Sequence, residues 1–414
     1  MKKILEGVRV LDLTRVVAGP LCTQMMADLG ATVFKIERPG IGDDSRRMAP
    51  VLQGSDYGEW NGESAVYLSY NRGKKSIAVD FTTPKGAEIV RSLARTCHVF
   101  VENFKVGSLA KANLDYEAIR QLREDIIYCS ITGFGQSGPY AAYAAYDFIL
   151  QGMAGPMSTC GLPDGQPGAT PLRTSIPIVD IVTGIQANAA IISALFHHAR
   201  TGEGQHIDLS LLDCGVALNG HLANSYLLTG MISDRVGNTN PIASPSEVVP
   251  CKNGSIILGA GNDRQFVAIC EALKAPEMAN DPRFSNNAQR ILYRDELTAK
   301  LRSLMGPHDR DELLKELRER GVPCGPINNL EQVFLDPQVQ HRELVETLRG
   351  QDNTPISLVR HPVYFSETPA HGEPPPKLGF NTSEVLSEEL NFLLSSMKDL
   401  EKEGVIFLGE QNDH

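Results

Sequence analysis

Residues 1–132 alternate between short strand-like runs and helix-like stretches, and this alternation limits the possible folds more than any other feature of the chain. Runs typical of strands cover residues 8–13, 31–37, 76–81, 97–103 and 125–132. One predicted helix between them ends at Gly30, and another begins at Pro84. Successive strands joined by helices run parallel and need helices on both faces of the sheet. The pattern predicts an α/β fold with a large, doubly wound, Rossmann-like sheet.

The pattern changes after about Leu228. The segment "SEVVPCKNGSIILGAG" reads as two strands joined at Asn253-Gly254, a strong hairpin signal. Amphipathic helices are predicted over residues 286–305 and 310–321. A final helix is predicted from about Ser383, after the stiff segment "PPPKLG". These features predict a second, smaller α+β domain in the later part of the chain.

The composition excludes several classes of protein. A formal net charge of −11 over 414 residues argues against a nucleic-acid-binding protein, which needs a basic face. The eight cysteines are scattered without C-x-x-C spacing, so neither a zinc site nor a disulfide framework is predicted. No unbroken apolar run reaches the roughly 18 residues of a membrane span, and the first residues lack the pattern of a signal peptide. We expect a cytoplasmic protein with reduced thiols and no membrane partner.

Common nucleotide-binding and hydrolase motifs are absent from the sequence. The turn after the first strand is "TRVVAGP", not G-x-G-x-x-G, and no G-x-x-x-x-G-K-[ST] loop is present. G-x-S-x-G and H-E-x-x-H are absent as well. A group of basic residues near predicted strands could instead hold phosphates, or could form a solvated surface. The group consists of Arg38, Arg46, Arg47, Arg72, Lys74 and Lys75.

A single acid interrupts the apolar and small-residue segment "IPIVDIVTGIQANAAIISAL". Asp180 has no basic neighbour in this segment. It could cap the helix that begins there, since a carboxylate accepts free backbone N–H groups and suits the positive end of a helix. It could also be a chemical reagent held at the edge of a pocket. The segment alone is compatible with both interpretations.

Several blocks of the sequence resemble the class III coenzyme A transferases, the CaiB/BaiF type. The opening "VLDLTRVVAGPLCTQMMADLGATVFKIERPGIGDDSR" is similar to the start of that family. Later blocks follow in the family's order: "NRGKKSIAVDF", "VFVENFKVGSL", "YCSITGFGQSGPY", "TGEGQHIDLSLLD", "GVPCGPINN" and "PPPKLG". The resemblance implies an enzyme that moves CoA from an acyl-CoA to a carboxylic acid. CoA thioesters would be its substrates, and no permanently bound cofactor is implied.

The resemblance assigns the nucleophile to Asp180, which lies between the "GFGQSGPY" and "TG-x-GQ" blocks. Such a carboxylate forms an acyl anhydride and then a thioester with CoA. Tyr146 matches a tyrosine near the thioester. If Asp180 also caps its helix, the helix dipole should keep it ionised near neutral pH.

The resemblance also assigns residues to the CoA site. Those with matching positions are Val16, Val17, Arg38, Val79 to Thr82, Asn103, Phe104, Lys105, Lys111 and Ala144 to Asp147, including Ala145. Lys111 stands where formyl-CoA transferases have an arginine, so the charge is kept but the bidentate fork is lost. Gly259 and Gly261 fall near the family's glycine loop, but "GAGNDRQF" lacks its run of consecutive glycines. This departure argues against oxalate and formate as substrates.

The motif "GAGN-x-x-QF" followed by "GVP-x-GPINN" is most similar to those of succinyl-CoA–dicarboxylate transferases, including the glutarate enzyme. A second carboxylate needs a cationic partner, for which Arg15 and Arg173 are candidates. Alternatives are a formyl-CoA or carnitine type of transferase and an acyl-CoA racemase of the same fold. Racemases place Gly-His-Asp where this chain has Ala145-Tyr146-Asp147, and a tyrosine with a pKa near ~10 exchanges protons poorly at neutral pH. A nucleotide-binding redox protein is a further alternative, disfavoured by the missing fingerprint.

The family resemblance implies an interlocked homodimer whose large domain is built from both ends of the chain. We therefore expect residues 1–225 in a large CoA-binding α/β domain and residues 226–330 in the smaller domain with its linkers. Residues 331–414 should return to the large domain, in agreement with the strand pattern at "PISLVRHPVYF".

Overall fold

The chain, seen in a computed structural model that describes residues 3–409, consists of two compact units. The larger unit contains the described parts of residues 1–156, 173–229 and 342–414. The smaller unit contains residues 157–172 and 230–341. This division differs from the predicted boundaries at 225 and 330, and it assigns residues 157–172 to the smaller unit.

Twelve strands are assigned within residues 3–409. They are β1 Arg9–Asp12, β2 Thr32–Glu37, β3 Lys74–Val79, β4 Val99–Glu102, β5 Ile127–Thr132, β6 Gln205–Ser210, β7 Ser246–Cys251, β8 Gly254–Gly259, β9 Cys324–Pro326, β10 Val345–Arg349, β11 Pro355–Val359 and β12 Ile406–Phe407.

Eighteen α-helices are assigned in the same part of the chain. They are α1 Ala18–Asp28, α2 Ala65–Tyr70, α3 Pro84–Thr96, α4 Tyr116–Leu122, α5 Asp147–Met153, α6 Pro156–Thr159, α7 Ile178–Thr201, α8 Leu211–Leu218, α9 His221–Thr229, α10 Asp263–Ala272, α11 Pro276–Ala279, α12 Asn287–Leu292, α13 Arg294–Met305, α14 Arg310–Glu319, α15 Leu330–Leu335, α16 Pro337–His341, α17 Thr382–Leu390 and α18 Leu394–Lys402. Short 3₁₀ helices cover Asp44–Arg47, Ser55–Trp60, Leu109–Ala112 and Pro282–Phe284.

A seven-stranded sheet forms the centre of the larger unit. Its order is β12-β3-β2-β1-β4-β5-β6, with β12 antiparallel to β3 and the other neighbours parallel. The parallel strands thus have the order 3-2-1-4-5-6, which is that of Rossmann-type sheets, and the order reverses between β1 and β4. The prediction of an α/β fold with a large parallel sheet is confirmed. In such sheets ligands bind beyond the carboxyl ends of the strands at the point of reversal.

Each face of this sheet has its own hydrophobic core, because successive strand residues point to opposite faces. Leu11 and Phe34, paired in register, belong to a core covered by α3, α17 and α18. Their sequence neighbours Val10 and Val33 belong to the other core, with residues of α1 and α7. Strands buried on both faces explain the nearly continuous apolar runs in the sequence.

Helix α7 is long and apolar enough, by length and composition, to cross a membrane. In the structure it belongs to the larger unit and packs against α1, α8, β5 and β6. Ile191 and Ala187 on this helix are fully buried in the core. One side of the helix therefore packs in this core, and 39% of its apolar stretch is buried.

The smaller unit contains the antiparallel sheet β7-β8-β9 and a helical layer. The predicted hairpin is confirmed by the pairing of Ser246 with Gly259 through to Cys251 with Gly254. Leu313 and Leu317 of α14 are buried in its core.

Three local predictions differ from the structure. The helix predicted over residues 286–305 is two helices that meet at Tyr293. The strand predicted through "HIDLSLLD" ends at Ser210, whose hydroxyl accepts the backbone N–H of Asp213 and starts α8. The final predicted helix is interrupted by Asn391, which has a left-handed backbone and ends α17.

Candidate active site

A cavity of about 290 Å³ opens beyond the carboxyl ends of β1, β4 and β5, where the strand order reverses. Residues after β1 and β4, the end of β5, the segment before α5 and the first turn of α7 line it. The lining consists of Arg15, Val16, Val17, Ala18, Asp44, Asn103, Phe104, Lys105, Val106, Ile131, Thr132, Gly133, Ala141, Tyr143, Ala144, Ala145, Tyr146, Asp147, Asp180 and Leu211. The position fits the general rule for ligand sites in open α/β sheets.

Asp180 lies in the first turn of α7, but it does not cap that helix. Pro177 occupies the N-cap position of the helix, and its side chain makes no capping hydrogen bond. The backbone N–H groups of Val179 and Asp180 donate instead to Oδ2 of Asp147, at 2.8 and 3.1 Å. The interpretation of Asp180 as the cap is therefore wrong, because a carboxylate 33 positions earlier in the chain accepts these donors.

The electrostatic prediction for Asp180 depended on that cap and does not apply to this structure. Burial, and next the negative charge of Asp147, raise the pKa of Asp180 to about 7. Both effects act in the opposite direction to the helix dipole, which favours the ionised side chain. A carboxylate with this pKa is a stronger base and nucleophile than an ordinary aspartate, and part of it remains ionised at neutral pH.

A strained turn after β1 forms part of the cavity wall. Val16 has φ +73°, a conformation that a β-branched residue rarely adopts. Its N–H donates to Oδ1 of Asp43 at 3.1 Å. On the other side, the N–H and C=O of Arg15 are both bonded to the amide of Asn103, at 2.9 and 2.8 Å. The surrounding groups thus hold the turn in a strained shape, as often occurs at functional sites.

Two buried ion pairs lie beneath this turn. Lys35 Nζ is fully buried, 2.8 Å from Asp43 Oδ2 and 2.9 Å from the carbonyl of Thr14. Lys74 Nζ lies 3.0 Å from Asp12 Oδ2, and both side chains are fully buried. Burial lowers the pKa of Lys74 to about 8, while the Asp12 carboxylate opposes that shift. The sequence contains a sign of this buried lysine, because Lys35 is a charged residue within the otherwise apolar part of the strand "TVFKIE". The sequence analysis did not single it out.

Most of the predicted phosphate-binding group is structural. Arg46 is buried, with Nε 2.8 Å from Glu37, and it also bonds Glu63. Arg72 is paired with Asp28 at 2.7 Å, Lys74 with Asp12, and Lys75 with Glu384. Arg72, Lys74 and Lys75 lie at the amino end of β3, away from the cavity edge. Neither interpretation, phosphate ligand or solvated surface, holds for the buried Arg46, Arg72 and Lys74. Lys75 is half-exposed, and Arg38 and Arg47 are exposed.

The structure brings together eleven of the predicted site residues at the cavity: Arg15, Val16, Val17, Asn103, Phe104, Lys105, Ala144, Ala145, Tyr146, Asp147 and Asp180. The remaining residues of the larger unit lie outside its lining. Val79 is buried at the end of β3, while Arg38, Thr82, Lys111 and Arg173 are exposed. Phe81, beside Thr82, makes an edge contact with Phe104 at 5.5 Å between ring centroids.

The predicted substrate-binding residues other than Arg15 are Arg173, Gly259 and Gly261, and they lie outside the cavity lining. The guanidinium of Arg173 lies 4.9 Å from the ring of Phe148. Gly259 and Gly261 belong to the smaller unit, where the N–H of Gly261 donates to Gln265 at 2.8 Å. The sequence analysis missed Asp44 and Tyr143 in the lining, and it named Asp147 only as part of a CoA-lining stretch.

Among the described residues, no group of three or more His, Cys, Asp or Glu side chains is placed to hold a metal ion. All eight cysteines are free, and five of them are buried. The chemical groups in the cavity are therefore a basic carboxylate, phenols, cationic side chains and the positive end of α1, whose first turn includes the lining residue Ala18.

The chain belongs to the CoA-transferase family III, whose family model matches residues 5–382. It is accordingly a transferase that acts on CoA thioesters. A succinate–glutarate CoA-transferase of Agrobacterium fabrum is 46% identical over 94% of this chain and 96% of its own length. The human succinyl-CoA:glutarate CoA-transferase is 39% identical over 98% of this chain and 90% of its own. A crystal structure of a CAIB/BAIF family protein from Brucella suis has a TM-score of 0.84 and 39% identity, covering 94% of this chain and 100% of that one.

Proposed function

We propose that this CoA-transferase moves CoA from succinyl-CoA to a dicarboxylic acid of four to six carbons, such as glutarate. The observation that best supports the chemistry is the basic Asp180 carboxylate at a cavity beyond the sheet's point of reversal. Relatives named for succinate and glutarate cover nearly the whole chain and support the choice of substrates.

The reaction would start with attack of the ionised Asp180 oxygen on the thioester carbon of succinyl-CoA. The C–S bond breaks, giving a mixed anhydride and free CoA thiolate. The thiolate then attacks the aspartyl carbon of the anhydride, forming an aspartyl-CoA thioester and releasing succinate. The acceptor carboxylate attacks this thioester, giving a second anhydride and thiolate, and the thiolate attacks the acceptor's carbon to give the product. Asp180 is regenerated, and no ATP is consumed.

The residues around Asp180 suit these steps. Negative charge develops on carbonyl oxygens, and the first turn of α1 at Ala18 presents the positive end of a helix to the cavity. Phe104, Tyr143 and Tyr146 line the cavity and would limit access of water to the anhydride. Tyr146 would lie beside the thioester.

CoA itself would lie along the turn after β1 and the segment after β4. We propose contacts through Val16, Val17, Asn103 to Lys105 and Ala145, with the exposed cations Arg38, Lys105 and Lys111 toward the phosphates. For the distal carboxylate of the acceptor we propose Arg15 or Arg173. Arg15 lines the cavity, although Asp44 already holds its Nη1 at 2.9 Å. We also propose that Gly259 and Gly261 belong to the segment that corresponds to the family's glycine loop.

We further propose a cytoplasmic homodimer. Large apolar side chains remain exposed on α7 and α9, including Phe196, Leu227 and Leu228 at 65%, 77% and 84% exposure. A second copy of the chain would cover such a surface. Light scattering after size exclusion is expected to give twice the chain mass of 45.1 kDa; a monomer at micromolar concentration would contradict the dimer.

The function is tested with succinyl-CoA and a panel of carboxylic acids, with new acyl-CoA products followed by mass. Dicarboxylates of four to six carbons are expected to react fastest, and Asp180→Ala should give no product. Faster reaction of monocarboxylates would refute the dicarboxylate proposal while leaving the transferase activity intact.

A further inference from the structure

Helix α5 begins with a buried acid that the proposed reaction does not consume. Asp147 is only 9% exposed and lies at the start of α5, directly after Tyr146. Its Oδ2 accepts two backbone N–H groups from the first turn of α7, those of Val179 and Asp180. Its Oδ1 accepts the side-chain amide of Gln151, one turn along α5, at 2.6 Å.

The same hydrogen-bonded chain continues toward the start of α7. Gln151 accepts the N–H of Thr174 with its Oε1 at 3.0 Å. Thr174 in turn donates its hydroxyl to the carbonyl of Ile176 at 2.8 Å. Residues 174–180 are therefore bound to α5 at several points, and Asp147 is the point nearest the proposed nucleophile.

We propose that Asp147 is a positioning residue for the reaction, which fixes the first turn of α7 and thereby the Asp180 carboxylate. The proposal rests on the nucleophilic role proposed for Asp180. A buried carboxylate that accepts two N–H groups makes strong, charge-assisted hydrogen bonds, so the backbone of Asp180 has little freedom to move. An error of about 1 Å in the position of a reacting group can cost a factor of about 100 in rate.

Asp147 also acts on Asp180 through its charge. Two carboxylates close together oppose each other's ionisation, and after burial this is the second cause that raises the pKa of Asp180. The nucleophile thus keeps a basicity suited to neutral pH. A neutral cap on α7 would satisfy the N–H groups but would leave Asp180 a weaker base.

Other charged and titratable groups near Asp180 do not replace this effect. They come from the cavity lining, α2 and α8, and they are Arg15, Asp44, Lys105, Tyr143, Tyr146, Tyr70 and Cys214. Arg15 and Asp44 form an ion pair with each other, and Lys105 is exposed to solvent. Tyr70 stays neutral at pH 7, because burial and the charge of Asp180 raise its pKa. Asp147 is accordingly the buried charge that acts on the nucleophile.

The test compares Asp147→Asn with the wild type in the pH dependence of kcat/KM for succinyl-CoA and glutarate. The amide keeps an oxygen for the N–H groups of α7 but has no charge. Its NH₂ group would face the donor amide of Gln151. We expect the acidic limb to move to lower pH by about half a unit to one unit. We also expect a loss in kcat of about 10-fold, with the KM for succinyl-CoA little changed.

Asp147→Glu and Asp213→Asn are the companion variants. Asp147→Glu keeps the charge but displaces it, so it should lower kcat while its acidic limb stays closer to that of the wild type. It also provides the test if Asp147→Asn does not fold. Asp213 is an exposed acid in the first turn of α8, so its amide variant should behave as the wild type.

Different results would refute the nucleophilic role of Asp180 and the positioning role of Asp147. Activity in Asp180→Ala would refute the nucleophile itself. An inactive Asp180→Ala together with an Asp147→Asn enzyme of wild-type kcat and unmoved acidic limb would refute only the positioning role. A loss of activity by the same factor at every pH, matched by a loss of folded protein in circular dichroism, would also refute it, since Asp147 would then be merely structural.

Discussion

Replacing Asp43 by asparagine should destabilise the protein strongly, although its neighbour Asp44 can be replaced at little cost. The Asp43 carboxylate accepts hydrogen bonds from Lys35, from Ser45 and from the N–H of Val16. Lys35 Nζ is fully buried, so Asp43→Asn leaves a buried ammonium group with no carboxylate bonded to it. The Thr14 carbonyl and the new amide oxygen are neutral, and the charges of Asp12 and Glu37 remain. Breaking a buried pair in this way costs about 3–5 kcal/mol.

Deprotonation of Lys35 sets an upper limit of similar size on this cost. The unpaired lysine can escape its charge by losing a proton, which at pH 7 requires its pKa to fall from about 10.4 to about 7. At about 1.4 kcal/mol for each pKa unit this costs at most ~5 kcal/mol. We therefore expect Asp43→Asn to lose about 3–5 kcal/mol in the free energy of unfolding, measured by urea denaturation at pH 7.

Asp44→Asn is the matched control, because Asp44 forms an exposed ion pair with Arg15, with side chains 53% and 38% exposed. Such pairs contribute about 0–1 kcal/mol. Burial raises the pKa of Asp43, but the Lys35 charge and the hydrogen bonds from Lys35 and Ser45 together outweigh burial and lower that pKa. Its contribution to stability is therefore present above the unfolded pKa of about 4 and is lost as the pH falls below it. Equal losses for Asp43→Asn and Asp44→Asn at pH 7 would refute the argument from the buried pair.

Three further predictions concern the active site. Since the pKa of Asp180 is raised to about 7, ionisation of Asp180 destabilises the native state as the pH rises from about 4 to 7. Asp180→Asn, though inactive, should therefore be more stable than the wild type by about 1–3 kcal/mol at pH 8, with little difference at pH 4, in urea denaturation. Arg38→Ala should raise the KM for both the donor and the product CoA thioester more than it lowers kcat; unchanged KM values would place the CoA phosphates elsewhere. If Arg173 binds the distal carboxylate, Arg173→Ala should raise the KM for glutarate at least about 10-fold but not that for a monocarboxylate, whereas Arg120→Ala, an exposed arginine on α4, should change neither.

The strand and helix alternation of the larger unit could be predicted because local sequence determines it. Buried parallel strands are apolar throughout, and the helices between them begin at signals such as Pro84 after Thr83, whose hydroxyl caps α3. The hairpin at residues 246–259 was predictable for the same reason, because its turn is only two residues long.

Features that depend on distant residues were not predictable from local patterns. The cap of α7 is supplied by Asp147, and nothing in residues 176–195 indicates a hydrogen-bond acceptor that far away in the chain. Arg46 and Lys74 resembled ligands for phosphate because only the folded chain shows their acidic partners. Glu37 lies nine residues before Arg46, across the loop after β2, and Asp12 lies on β1, 62 residues before Lys74. A charged residue next to a strand thus has two possible partners, a ligand or a buried acid, and only the fold distinguishes them.

Asp180 itself could be located from the resemblance of the flanking blocks, but its electrostatic state could not. The helix dipole was the one local influence visible in the sequence. It predicted a lowered pKa for Asp180, and therefore an ionised side chain. The opposing influences, burial and the Asp147 charge, arise from packing of α5 against the start of α7.

The transfer of oxygen from the acceptor acid to Asp180 tests the proposed chemistry most directly. In the proposed steps the acceptor carboxylate attacks the aspartyl thioester, so one of its oxygens stays on Asp180 after the thiolate removes the acyl group. The enzyme is incubated with succinyl-CoA and glutarate labelled with oxygen-18 in its carboxylates, then digested, and the peptide containing Asp180 is weighed by mass spectrometry. The label is expected on the Asp180 side chain and, after further turnovers, in the released succinate. An unlabelled Asp180 after many turnovers, or label on another residue, would contradict the account.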